Sequence, residues 1–358
     1  YAQDANGMRL THGSVGLNQQ AIMPKDSGIS LLMNMPTTDW TDWDPFLARL
    51  LDGLDTKTEN TDGGMLNVVE LTTPQFIFQS LPFNRLTMHA DIDRQGRWHG
   101  HVKSDDATGR FVWTASDENG RAHISGSFDR LWVDISKILA KVKDSKPQET
   151  AAHMPSLDVT VDDFRVNEYQ LGSVRLDAKN AGTGKDWAWR IDDLTIKTPE
   201  ATLTASGQWN AGMEKNSQTR VEATLDVNDL GKLLERAKLP KTVRDGHGQI
   251  HASLDWAGAP SQFAIGQLNG SLSTALRSGQ LLQIEPGAAR LLSLISLQSL
   301  LRRLTLDFRD VVGEGFVFDS IDSQASIDHG VIFGDSFRLV GDETTVRSTK
   351  LRGRQESV

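Results

Sequence analysis

The chain has 358 residues, 38% of them hydrophobic and 24% charged, and carries a formal net charge of −9 at pH 7. That balance excludes the basic field a nucleic-acid partner needs and disfavours general adhesion to anionic lipid surfaces. No cysteine occurs, so disulfides, thiolate metal sites and a cysteine nucleophile are excluded as well.

From the start, residues 8–35 have a strand-like pattern, with Gly7, Gly13, Gly16 and Gly28 at turn or bulge positions. A short helix is predicted next: Asp42 or Asp44 caps it, Pro45 fits its first turn, Phe46, Leu47, Leu50 and Leu51 form its buried face, and Gly53 stops it. Residues 52–64 are polar and read as a loop. Strands resume at Met65 and recur around Phe76, Leu86, Trp98, Phe111 and Ile124, separated by turn signals such as Arg94-Gln95-Gly96. The charged stretch 137–150, with Pro147, is the best candidate boundary. Beyond it short alternating segments return, and a helix beginning at Leu230 is closed by Pro240. Within these segments Val174, Leu176 and Ala178 alternate with Arg175 and Asp177, so one face is apolar and the other wet. Two architectures satisfy this alternation. A sandwich buries the apolar face against a second sheet, whereas a groove leaves part of it open.

Candidate chemistry is sparse. His99 and His101 are spaced to share a strand face, with His89 nearby, but a third or fourth zinc ligand is not evident. The pairs Asp162-Asp163 and Asp192-Asp193, and Asp91 with Asp93, lack calcium-loop spacing and are expected at strand ends, serving turns. No G-x-S-x-G elbow, phosphate loop or H-E-x-x-H motif occurs. Trp113, Trp187, Trp189, Trp209 and Trp256 fall at recurring strand and turn positions, as core or rim packing does. No enzyme activity, cofactor or metal is expected.

A longer helix is predicted over 286–303. Pro286 suits its first turn, Leu291, Leu294, Leu297 and Leu301 recur on one face, and Arg302 and Arg303 complement its carbonyl end. It ends where Leu304, Leu306 and Phe308 begin to alternate with polar residues, and Phe316 and Phe318 open a further strand. The stretch G-x-x-x-x-x-E-P-G-A-A-R-L-L-S-L-I-S-L-Q-S-L, followed by R-R-L-T-L-D-F-R-D-V and G-F-x-F-D-S-I, spans Gly279 to Ile321. It closely resembles the C-terminal part of the YhdP branch of the AsmA-like proteins. The flanking pattern is similar from Pro155 to Gly341, while the first 150 residues match only as strands with Gly turns and Trp.

That resemblance implies a mainly β fold: an elongated, curved antiparallel sheet forming an apolar groove, with short edge helices and one C-terminal amphipathic helix. Segments 1–150, 151–282 and 283–358 belong to one continuous sheet in this reading. It implies phospholipid or another acyl lipid as the partner, carried between inner and outer membrane across the periplasm. The inner-membrane anchor is expected in a segment absent from this chain, since no apolar run of about 20 residues spans a bilayer here. Lipid tails are expected against Val174, Leu176, Leu203 and Leu225, against Leu254, Leu272, Leu306 and Phe308, and against Phe316, Phe318, Phe333 and Leu339. The helix either plugs the sheet end, gates the groove or meets a membrane. The competing readings are a β-sandwich interaction module of the envelope and, more remotely, a carbohydrate-active enzyme, which needs two carboxylates converging beside tryptophans.

Overall fold

The computed structural model describes residues 2–4, 7–9, 12–24, 28–40, 42, 66–78, 81–114, 122–134, 154–183, 186–211, 217–239, 241–282, 316–341 and 344–349. Residues 43–53 of the first predicted helix and the whole of the one over 286–303, with Leu291, Leu294, Leu297, Leu301, Arg302 and Arg303, lie outside these residues, as do Leu306, Phe308 and the stretch 137–150. The chain divides into two compact units, one formed by Tyr1–Ser145 and His153–Lys179, the other by Lys146–Ala152 and Asn180–Val358. Both are built on β-sheet, so the fold is mainly β.

In the first unit, β1 (Ala2–Asp4) and β2 (Gly7–Arg9) pair with each other. The main sheet starts at β3 (His12–Leu17), which lies parallel to β4 (Gly28–Asn34). Both β4 and the short β5 (Thr38–Asp39) run parallel to β6 (Leu66–Phe78). Antiparallel neighbours follow: β7 (Leu81–Ile92), β8 (Arg97–Lys103), β9 (Ala107–Thr114) and β10 (His123–Val133). Next, β11 (Ser156–Val166) lies parallel to β10 and antiparallel to β12 (Tyr169–Thr183), inside which the unit ends. The sheet is therefore mixed, where alternation had suggested antiparallel pairing throughout. The connections permit this: residues 18–27 join β3 to β4 and residues 134–155 join β10 to β11, and parallel neighbours need such a crossover rather than a tight turn. In β4 the consecutive residues Ser30, Leu31, Leu32 and Met33 are all buried, as befits a strand paired on both sides and covered on both faces. Leu31 and Met33 join Leu66, Leu71, Phe76, Leu86, Ala90 and Trp98 in the core of this unit.

The second unit is antiparallel throughout its described ladder. Its order is β13 (Asp186–Lys197), β14 (Ala201–Asn210), β15 (Gln218–Val227), β16 (Val243–Ala257), β17 (Asn269–Leu281), β18 (Phe316–Asp328), β19 (Val331–Gly341) and β20 (Thr344–Thr349). Between β15 and β16 sits the predicted short helix, α1 (Leu230–Arg236). Asp229 caps it by accepting from the Lys232 backbone N–H at 2.9 Å, as its side chain is suited to do. Arg236 in its last turn donates two hydrogen bonds to Glu200, at 2.6 and 3.1 Å, which ties the helix to the β13–β14 turn. That guanidinium holds the Glu200 carboxyl below its ordinary range despite the opposing effect of burial.

The aspartate pairs are not at strand ends. Asp162-Asp163 lies inside β11 and Asp192-Asp193 inside β13, each where the register shifts between flanking apolar residues, Val161 and Phe164 in one and Ile191 and Leu194 in the other. Each pair is a bulge. Because two polar residues rather than one separate the apolar neighbours, both apolar side chains return to the same face.

Candidate apolar trough

Cα partners in an antiparallel ladder carry their side chains on one face. In the second unit the register aligns Leu203, Leu225, Ile250, Thr274, Ser323 and Phe337 in one row across β14 to β19. A second row on that face runs Leu194, Ala205, Ala223, Ala252, Leu272 and Ala325 across β13 to β18. Val221 and Leu254 stand opposite each other in a third. Four alanines in the middle row, between taller leucine, isoleucine and valine rows, make a furrow perpendicular to the strands.

Burial along this face is ordered. On β14, Ala201 and Trp209 are buried, while Leu203, Ala205 and Gly207 between them are half-buried. Thr219 and Val227 bracket half-buried Val221, Ala223 and Leu225 on β15, and Phe318 and Ile327 bracket Ile321, Ser323 and Ala325 on β18. A sandwich produces the opposite gradient, with strand middles driest and ends wettest, because the second sheet covers the centre. Here the two margins are dry and the centre is open.

Each margin has its own packing. Trp189, Trp209, Thr219 and Trp256 share one register row. The Trp209 indole donates to Ser217 Oγ at 3.0 Å, and that of Trp256 donates to the Ala259 carbonyl at 3.1 Å. Phe263 meets Trp256 edge-on, with ring centroids 5.3 Å apart. The other margin is a cluster of Leu276, Phe316, Phe318 and Leu339, against which Leu230 of α1, Val243, Leu281, Ile321 and Phe337 pack. There the step Phe318-Asp319-Ser320-Ile321 shifts the inward set by one residue, so that Phe318 lies over Gly279.

The structure thus places Leu203, Leu225, Leu254 and Leu272 together on the open floor. Phe316, Phe318 and Leu339 belong to the buried margin instead, at 9%, 1% and 1% exposure. Phe333 is on the other face altogether. It pairs with Ser326 and is 39% exposed, because a bulge between Gln324 and Ala325 resets the β19 register. Val174 and Leu176 lie in the first unit, opposite Val161 and Val159, on the same face as Phe128 and Gly126. The floor residues that sequence reasoning passed over are Ala205, Ala223, Ala252, Ile250 and Ala325. Their signal is the alternation of small apolar with hydroxyl side chains, as in Ala201-Thr202-Leu203-Thr204-Ala205-Ser206.

The histidine group is local. His89 lies 3.3 Å from Glu70 and His99 is 2.9 Å from Asp93, whose carboxyl that imidazole holds far below its usual range. No cluster of three or more His, Cys, Asp or Glu among the described residues could hold a metal ion. Also among the described residues, no helix is long and apolar enough to cross a membrane.

Comparison with known proteins decides the family. The family described as YhdP protein matches residues 1–349. The chain belongs to the YhdP family. Over 181 residues, 45% of this chain, it is 36% identical to the protein named intermembrane phospholipid transporter YhdP of Escherichia coli strain K12. This YhdP-family chain spans 14% of the length of that relative. No solved structure matches it.

Proposed function

We propose that the apolar face of this chain carries acyl lipid, phospholipid in the first instance, as part of a route between the inner and outer membranes. The observation that carries the reading is the reversed burial gradient of β14, β15 and β18, dry at both margins and open along the alanine furrow. The name of the Escherichia coli relative points the same way.

The energetics are simple. Each methylene moved into water costs about 0.8 kcal/mol, so a two-chain lipid leaving a bilayer unaided meets a barrier of tens of kcal/mol. A continuous apolar floor lowers that barrier along its length. The row from Leu203 to Phe337 crosses six strands, about 24 Å at ordinary strand spacing. Apart from Thr274 and Ser323, the side chains of the floor offer dispersion contacts without hydrogen bonds, which suits sliding better than capture, and headgroups stay in water. The working location is the periplasm. No reaction is assigned to the chain.

The test is photocrosslinking in cells with a probe at Leu225, on the floor, and a control at Thr224, which faces the other way. Lipid adducts at Leu225 and none at Thr224 are expected. Protein adducts alone at both positions would replace the lipid reading by that of an interaction module.

A further inference from the structure

The tryptophan margin of the trough is covered by a loop with an apolar top. Between β16 and β17 the chain passes through two single-turn 3-10 helices, Pro260–Gln262 and Ile265–Gln267. No charged residue occurs from Trp256 to Leu268, although 24% of the chain is charged. The loop is held at both ends. Gly258 donates its N–H to the Ser217 carbonyl at 2.8 Å, and its own carbonyl accepts from Thr219 Oγ1 at 2.8 Å. The Ala259 carbonyl takes the Trp256 indole N–H, while the Ala259 N–H donates to Gln262 Oε1 at 2.9 Å. At the far end Gly330, in the β18–β19 turn, donates to the Leu268 carbonyl at 2.8 Å. A β-carbon at position 330 would collide with the Ile265 carbonyl, so turn and loop are in direct contact.

This anchored loop shows Phe263, 50% exposed, and Ile265, 59% exposed, to solvent, with exposed Ala264 between them. Their placement is tied to the trough. Trp256 stands in the row of Trp209 and Thr219, on the face that carries Val221 and Leu254, and Phe263 meets the Trp256 ring edge-on. The apolar surface therefore runs from Leu254 on the floor through Trp256 to Phe263 and continues at Ile265. Two lipid occupants suit such side chains, an acyl chain lying in the trough or the surface of a bilayer. A loop that enters a bilayer interface commonly sets Lys or Arg beside its apolar tip for the anionic headgroups. The residues that hold this loop, Ser217, Thr219, Asn269, His329 and Gly330, include neither. Asp255 and Asp328 stand in the strand ends beside it. The acyl chain is the occupant that fits both the continuity and the charge.

We propose that Phe263 and Ile265 form a lip of the trough, which covers the acyl chain of a lipid on the tryptophan side and keeps it against the floor. The inference rests on the lipid reading of the floor and adds to it a contact from a loop, which the strand register does not supply.

The test is photocrosslinking in cells with a benzoylphenylalanine probe at Ile265, at Leu225 on the floor, or at Val317, which is 53% exposed and alternates with the inward Phe316 and Phe318. Lipid adducts at Ile265 and Leu225, with none at Val317, are expected. Ile265→Asp should lower the lipid adducts at a Leu254 probe by about fivefold, the size of a lost apolar contact. Circular dichroism checks that this variant remains folded. Lipid at Leu225 without any at Ile265 overturns the lip and leaves the lipid reading standing, whereas lipid at neither position overturns both. Lipid at Ile265 and Val317 alike, or at Ile265 but not at Leu225, marks contact with a bilayer and overturns the lip, as does an undiminished Leu254 yield in folded Ile265→Asp.

Discussion

The ring of Phe318 of β18 packs against Gly279 of β17, so that a β-carbon built on the glycine comes within 2.5 Å of its Cζ. That contact closes one dry margin of the apolar trough, because it lets Phe318 reach 1% exposure beside Leu276 and Leu339. A methyl group at 279 has no room unless the ring moves. Gly279→Ala is therefore expected to cost about 1–3 kcal/mol, the usual range for overpacking a filled core. Gly266→Ala, where nothing lies within 4 Å of the added carbon, should change stability by no more than about 0.5 kcal/mol. Urea midpoints of the two variants check the contrast.

The opposite margin depends on Trp209, which is 2% exposed and bonded to Ser217. Trp209→Ala should destabilise by about 3–5 kcal/mol through lost burial and the cavity left behind. Trp209→Phe keeps most of the packing but strands the Ser217 hydroxyl, and about 1–3 kcal/mol is expected. Thermal unfolding followed by tryptophan fluorescence orders the three proteins.

The furrow can be filled without touching either margin. Ala223 is half-buried between Ala205 and Ala252. Ala223→Phe should reduce lipid crosslinking at Leu254 to background, while stability changes by no more than about 1 kcal/mol. Lipid adducts undiminished in that variant would mean that tails do not lie in the alanine row.

Acid should loosen the attachment of α1. The Glu200 carboxyl is held below its ordinary value of 4.5 by Arg236. A carboxylate whose folded pKa is depressed stabilises the fold above its unfolded pKa, and that contribution fades as pH falls through the folded value. Glu200→Gln is thus expected to be less stable than the parent above pH about 5, by about 1 kcal/mol, and equal to it well below pH 4. Stability measured across pH 3–7 in both proteins gives the difference curve.

Strand identity was legible because it is a local property. Alternation such as Val174, Leu176 and Ala178 against Arg175 and Asp177 needs only the period of two, and the short helix at 230 announces itself by the Pro240 that closes it. Pairing direction was not legible in the first unit. Nothing in the residues of β10 or β11 states that the long stretch between them brings the second strand back parallel. Nor did the aspartate pairs declare themselves as bulges, since Asp-Asp serves a turn equally well until the flanking strands are known to continue.

For the site, the alternating pattern by itself determined that one face is apolar and that Leu203, Leu225, Leu254 and Leu272 belong to it. The long motif at 279–321 determined the family. Only the tertiary structure decided which part of that face is open. Burial depends on neighbours brought by register, and register makes Trp209 and Phe318 margins and Ala223 a floor. It also decided that Phe333 faces the other way: counted in twos from Leu339 it belongs inside, but a single bulge near Asp335 reverses every side chain beyond it.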